Sequence, residues 1–160
     1  MAFTELNINE ITEYGKKAVV ELKNSNFLDF EEFAENGFNI FPKSIENIEN
    51  DEIKFRFRDL GYRYIKMVLK GHLSTRNFEI AKKWLDRLVE FDNNIGHLFD
   101  REVGFYCGQY FYETENFDEA YKYWREVVRQ SGNNRKRYFE GENPKYWEFY
   151  CTQKKSDDKK

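Results

Sequence analysis

Apolar residues recur at three- and four-residue steps along most of the chain, a spacing that places them on one face of an α-helix. No segment alternates apolar and polar residues for long. Phe55 and Phe57 do alternate with arginines, so a strand within residues 38–57 stays open as an alternative. The pattern therefore predicts an all-α protein. Its predicted helices lie near residues 8–22, 29–37, 51–73, 77–91, 100–113, 117–130 and 144–152.

A few residues mark particular points along these elements. Asn143 and Pro144 form a strong helix start, because a capping side chain precedes a proline at the first helical position. Ser44 is placed to cap a single turn. Gly61 lies inside the long helix predicted at 51–73, where glycine costs about 1 kcal/mol relative to alanine. We therefore expect a close approach to a neighbour there, or a kink.

One short sequence motif, called the Asn-Phe phrase below, occurs twice, 39 residues apart. The first copy begins at Asn77 and the second at Asn116. Both copies read Asn-Phe, followed by an alanine four residues after the asparagine, at Ala81 and Ala120. In each copy the asparagine can cap a helix, and an earlier helical stretch precedes it. This is the pattern of a helix-pair repeat, in which neighbouring pairs stack to bury a continuous core.

Residues 101–134 resemble a tetratricopeptide repeat, a family of stacked antiparallel helix hairpins. The matching residues are Gly108, Phe111, Ala120 and Trp124. The chain departs from the family at Val127, where alanine is usual, at Gly104, where tryptophan is usual, and at Asn134, where proline is usual.

The upstream copy is divergent, since Leu69 replaces the small residue and His72 replaces the aromatic. The resemblance implies a short right-handed repeat with extra helices at both ends. At this length we expect one domain, residues 1–152. Its expected parts are N-terminal helices at 1–50, a degenerate repeat at 51–92, a repeat at 100–131 and a capping helix at 144–152, followed by a disordered tail at 153–160.

Charge is unevenly distributed along the chain. The net charge is −3, yet residues 1–53 hold 12 acidic and 4 basic residues, whereas residues 54–160 hold 17 acidic and 22 basic residues. Two interpretations stay open: the acidic part forms a solvated face, or it steers a charged partner.

Known catalytic and nucleotide-binding motifs are absent from the sequence. His72 and His97 have no second ligand at metal-binding spacing, so each is expected to be packed or solvated. Cys107 falls in an apolar helical pattern, and neither it nor Cys151 forms a CxxC pair. We expect no enzyme activity, metal or cofactor. With no signal-peptide or membrane-spanning pattern, we expect a soluble cytoplasmic protein.

The tetratricopeptide resemblance implies a partner-binding face on the first helix of each pair. On the better repeat this face comprises Glu102, Phe105, Gln109 and Tyr112, and on the divergent one it includes Arg63, Lys66 and Lys70. The three cations are also three and four residues apart, so they share one helix face. Such a surface suits an acidic, partly apolar protein segment. Alternatively, these are ordinary solvent positions, or the acidic N-terminal third neutralises them.

We therefore expect a non-catalytic adaptor or regulator that binds one protein partner. A second hypothesis is an immunity protein or antitoxin that neutralises a basic toxin through segments 29–35 and 46–52. That hypothesis assigns the contact to Glu31, Glu32, Glu46 and Glu49. Weaker alternatives are a small enzyme and a nucleic-acid-binding protein. The latter would use the basic run Arg129, Arg135, Lys136 and Arg137.

Overall fold

The computed structural model describes residues 2–160, and the regular structure of these residues is helical, which confirms the all-α prediction. Neighbouring helices pack as hairpins: α1 with α2, α3 with α4, and α5 with α6. None of the described residues forms a strand. The α-helices are α1 (Glu5–Lys23), α2 (Phe27–Phe38), α3 (Asp51–Ser74), α4 (Phe78–Asn94), α5 (Asp100–Glu113), α6 (Phe117–Gln130) and α7 (Pro144–Asp158), with a short 3-10 helix at Ile45–Asn47.

The chain forms two compact units, one ending at His97 and the other spanning Leu98–Lys160. Each has its own buried aromatic side chains, among them Phe30 and Trp84 in the first unit and Trp124 in the second. From chain length alone, residues 1–152 were expected to form one domain.

The same turn closes all three hairpins. Ser25, Arg76 and Glu115 each adopt a left-handed backbone, with φ of 61°, 59° and 64°. In each turn the next amide donates to a carbonyl five residues earlier, at 2.8 Å for Asn26, 2.9 Å for Asn77 and 2.7 Å for Asn116. This is the Schellman arrangement, which satisfies the last carbonyls of a helix.

The repeated Asn-Phe phrase therefore has a third copy, Asn26-Phe27, which the sequence analysis missed. It escaped detection because Phe30 stands where the other copies have alanine. The proposed role of the asparagines also needs correction. Neither Asn77 nor Asn116 caps its helix through the side chain. Their backbone amides close the preceding helix instead.

Close helix contacts in the first unit depend on glycine. A Cβ at Gly61 would lie 2.5 Å from Cζ of Phe91 in α4, so α3 and α4 meet there without a side chain between them. A Cβ at Gly71 would similarly lie 2.6 Å from Cζ of Phe30 in α2. The expected close approach at Gly61 is confirmed.

Residues 39–50, the region that the sequence pattern left least clear, contain an irregular segment and the 3-10 helix. Ser44 Oγ accepts a hydrogen bond from the amide of Glu46 at 3.2 Å, as expected for a capping residue. Phe41 packs edge-on against Phe57, with ring centres 5.0 Å apart, and against Phe91 at 6.1 Å. The segment therefore lies against α3 and α4 through its aromatic side chain.

In the second unit, α5 and α6 cross at Gly108. A Cβ there would collide with the indole of Trp124. The indole Nε1 donates to the carbonyl of Phe105 at 3.0 Å, which satisfies a donor that is fully buried. Gly108 and Trp124, two residues that carry the repeat resemblance, therefore meet at this crossing.

Helix α7 starts as predicted, since Asn143 Oδ1 accepts from the amide of Lys145 at 3.0 Å ahead of the first turn. It continues to Asp158, through most of the segment assigned to a disordered tail. A contact with α6 lies near its end: Tyr121 donates its hydroxyl proton to Asp157 Oδ2 at 3.0 Å. None of the helices in the described part of the chain is long and apolar enough to span a membrane.

Candidate protein-binding surface

The predicted basic stripe lies on the middle of α3. Arg63 and Lys70 are exposed, whereas Lys66 is half-buried. Within α3, Arg63 Nε lies 2.8 Å from Oδ2 of Asp59, and Lys66 Nζ lies 5.5 Å from the ring centre of Tyr62. An exposed ion pair one turn apart contributes only about 0.3–0.5 kcal/mol. A partner carboxylate can therefore compete with Asp59 for Arg63.

An apolar groove of about 490 Å³ runs between α1 and α3. Its charged lining residues are Lys16 and Arg63, both cations. Lys16 is mostly exposed, and its Nζ lies 3.4 Å from Oε1 of Glu13 on the same helix. The groove thus combines an apolar floor with two cations at its rim, each beside a carboxylate of its own helix. The main floor residues are Val19, Val20, Leu60, Tyr64 and Met67.

The shape of the groove follows from Gly15 and Tyr64. A Cβ at Gly15 would lie 3.3 Å from Cε2 of the Tyr64 ring, so α1 rests directly on that ring. The Tyr64 hydroxyl donates to the carbonyl of Ala34 at 2.7 Å, which fixes the ring from its far end. Val20 remains 53% exposed at the groove. Part of the apolar floor is therefore accessible to a binding partner.

The predicted aromatic face of α5 is mostly core. Phe105 is 1% exposed and Gln109 is 9% exposed, while Glu102 and Tyr112 are half-buried. The segment after α6 covers this face, and the ring of Phe139 lies 5.0 Å from that of Phe105. Phe105 and Gln109 are thus packing residues rather than contact surface. The resemblance misplaced them because a repeat pattern does not specify which later segment covers an open face.

The four predicted acidic contact residues fall into two groups. Glu32, Glu46 and Glu49 are exposed, and Glu46 Oε2 lies 3.6 Å from Nζ of Lys54. The side chain of Glu31 is only 15% exposed and is held by other parts of the first unit. Only the first group is available to a toxin in the way the second hypothesis requires.

Glu31 links three helices of the first unit. Its Oε2 lies 2.5 Å from Nε2 of His72 on α3, and its Oε1 accepts from Nζ of Lys83 at 2.9 Å on α4. Trp84 Nε1 also donates to Oε1, at 2.9 Å. Burial of Glu31 opposes ionisation, but these hydrogen bonds outweigh it and hold the pKa of the carboxyl well below its usual range.

A second carboxylate extends the cluster. Glu35 Oε1 lies 2.6 Å from Nζ of Lys83 and 2.6 Å from Nη1 of Arg87. Burial opposes the charge on Lys83, yet its hydrogen bonds to Glu35 and Glu31 raise the pKa of its ammonium group. The acidic face of α2 therefore pairs with α4. Charge of the N-terminal third is thus neutralised here by Lys83 and Arg87 of α4.

Lys83 and Arg87 were not among the predicted site residues, although their spacing in the sequence was a signal. Glu31 and Glu35 are four residues apart, as are Lys83 and Arg87, so each pair shares one helix face. His72, expected to be packed or solvated, is packed: it is 1% exposed. With its cations matched by carboxylates, the cluster is suited to fixing α2 against α3 and α4.

Two cations of the predicted nucleic-acid contact lie beside neighbouring side chains of the second unit. Arg129 pairs with Glu126 one turn away, and Lys136 Nζ lies 5.9 Å from the ring centre of Trp147. Cys107 is buried, and both cysteines are free thiols. Comparisons of this chain with protein-family models, with curated proteins and with solved structures found no match.

Proposed function

We propose that this chain is a non-catalytic protein-binding module that takes an acidic, partly apolar helical segment of one partner into the groove between α1 and α3. The observation that carries this proposal is the composition of the groove, whose floor is apolar and whose charged lining residues, Lys16 and Arg63, are both positive. Amphipathic helices bind such grooves through apolar residues at helical spacing. Flanking carboxylates would meet the cations and favour the correct orientation.

The hairpin architecture supports this role. Three helix pairs closed by one type of turn are compatible with a helical repeat, and such repeats commonly present side chains of one helix to a partner. We also propose that this chain is related to the tetratricopeptide-repeat proteins. This relationship rests on the residues of the 101–134 segment and on the glycine–tryptophan crossing at Gly108 and Trp124.

Two designed peptides test the proposal directly. Both carry leucines at positions i, i+3, i+4 and i+7 of a 20-residue helix, and they differ only in having glutamate or lysine on the flanking positions. We expect the acidic peptide to bind at least about tenfold more tightly, with affinity falling as salt is added. Fluorescence anisotropy measures both dissociation constants. Equal affinity for the two peptides, or no binding of either, contradicts the proposal.

Matched variants locate the site. Arg63→Glu and Val20→Asp alter the groove itself, whereas Lys70→Glu changes the charge of the same helix away from the groove lining. We expect the first two to abolish binding of the acidic peptide and the third to weaken it only slightly. If Lys70→Glu is as damaging as Arg63→Glu, the contact is the stripe as a whole rather than the groove.

The immunity or antitoxin hypothesis keeps one specific support, the exposure of Glu32, Glu46 and Glu49. Charge reversal at these three positions tests it, with capture of a partner from a lysate of cells that make this protein as the readout. Glu31 is unsuitable for that experiment, since reversing its charge removes the ion pairs inside the first unit. Retained capture by the triple variant, together with loss in Arg63→Glu, favours the groove.

A further inference from the structure

A second concave site in the first unit has a different chemistry. It is a cavity of about 130 Å³ between the irregular segment after α2 and the helices α3 and α4. Four phenylalanines line it, with Phe41 at their centre: its ring lies 4.9 Å from Phe38, 5.0 Å from Phe57 and 6.1 Å from Phe91. The cavity is thus walled by ring edges and faces rather than by aliphatic side chains alone.

The polar groups of the lining are concentrated at the surface. Lys43, Glu90 and Asn94 line the cavity and are exposed, so its mouth lies among them. Arg87 also contributes, but its guanidinium is already engaged: it pairs with Glu35 and stacks 4.1 Å from the ring centre of Phe38. A molecule in the cavity would therefore meet apolar rings inside and a mixed polar rim outside.

Size decides which ligands are compatible. Sites for drug-sized ligands and cofactors span about 300–1,000 Å³, more than this cavity offers. A cavity of roughly 150 Å³ lined by apolar side chains accepts benzene. Aromatic rings also pair favourably in edge-to-face geometry at centre distances of about 4.5–7 Å. Phe41, Phe57 and Phe91 already show this geometry among themselves, at 5.0, 6.1 and 5.7 Å.

We propose that this cavity binds a single-ring aromatic molecule whose polar substituent stays at the mouth beside Lys43, Glu90 and Asn94. The ligand ring contacts the phenylalanine side chains that line the cavity and fills the space between them. The site shares no lining residue with the groove between α1 and α3, although Phe41 contacts the groove residue Tyr64, with ring centres 5.6 Å apart.

Benzoate, benzylamine and benzyl alcohol are suitable probes, because they share the ring and differ in the charge of the substituent. We expect at least one of them to bind at millimolar concentration, seen by saturation-transfer NMR. The same ligand should shift the aromatic ¹H–¹³C signals of Phe41 and Phe57. If none of the three binds, or if binding leaves these two signals unchanged, the proposal is wrong.

A matched pair of variants provides the control. Asn94→Trp places a large side chain at the mouth, whereas Asn93→Trp adds the same side chain at the adjacent exposed position, which does not line the cavity. We expect Asn94→Trp to weaken binding at least about tenfold and Asn93→Trp to leave it unchanged. Equal binding by both variants contradicts the proposed location. The phenylalanine signals of the unmodified protein decide the matter if Asn94→Trp does not fold.

Discussion

Glu31 and His72 lie 41 positions apart in the sequence, yet Oε2 of the first and Nε2 of the second are 2.5 Å apart. The contact joins α2 to the buried face of α3, and Lys83 and Trp84 bring α4 to the same carboxylate. Glu31 was a candidate surface contact on the basis of charge alone. Its partners show that it organises the interior of the first unit.

Replacing Glu31 should destabilise the first unit. Glu31→Gln preserves shape but leaves Lys83 without one of its counter-charges and gives His72 a neutral amide. We expect a loss of about 2–3 kcal/mol in the free energy of unfolding, since hydrogen bonds to buried charged groups are costly to break. Urea denaturation measures it. The exposed neighbour provides the control: Glu32→Gln should change stability by no more than about 0.5 kcal/mol.

The same carboxylate should make stability depend on pH at the acidic end. The pKa of Glu31 falls from 4.5 to about 2 on folding, so the unfolded chain binds more protons between these values. The contribution is complete above about pH 5 and decreases as pH falls toward 2. Urea denaturation at a series of pH values should therefore show that the difference in the free energy of unfolding between the unmodified protein and Glu31→Gln becomes smaller as the pH falls. If this difference in free energy stays constant from pH 7 to pH 2.5, the pKa of Glu31 is not lowered by folding.

Gly108 should not tolerate a methyl group. In Gly108→Ala, the new Cβ meets the buried indole of Trp124, which is itself fixed by its hydrogen bond to Phe105. Overpacking of this kind costs about 1–3 kcal/mol, more than the helix gains from alanine. Gly104→Ala is a graded comparison, because its Cβ meets a single methyl of Val127 at 2.9 Å. Thermal unfolding should rank Gly108→Ala as the less stable variant.

Introducing a glycine at a hairpin turn should increase stability. Ser25 is exposed and has a left-handed backbone with φ of 61°, a conformation that costs most side chains about 1 kcal/mol or more. We expect Ser25→Gly to stabilise the first unit by about 0.5 kcal/mol and Ser25→Val to destabilise it by more than that. Hydrogen exchange at the amide of Asn26 reports on the turn. If the valine variant is as stable as the glycine variant, the turn does not adopt the left-handed form in solution.

Much of the fold was predictable because it is local. Helix periodicity depends on residues three and four apart, so α3, α5 and α6 were placed within one or two residues of their observed ends. The start of α7 at Asn143 and Pro144 was equally local. Its end was not, since Asp157 contacts Tyr121 in another helix and charge composition alone gave no sign of that contact.

The candidate surfaces show the same division. The sequence by itself determined that the protein is helical, that its helices come in pairs, and that Arg63, Lys66 and Lys70 share a face. Only the tertiary structure decided that Phe105 and Gln109 are buried and that Glu31 is an internal partner of His72. It also brought Lys16 and Arg63 to one groove. Burial and pairing depend on side chains contributed by distant helices, whereas periodicity is a property of each helix alone.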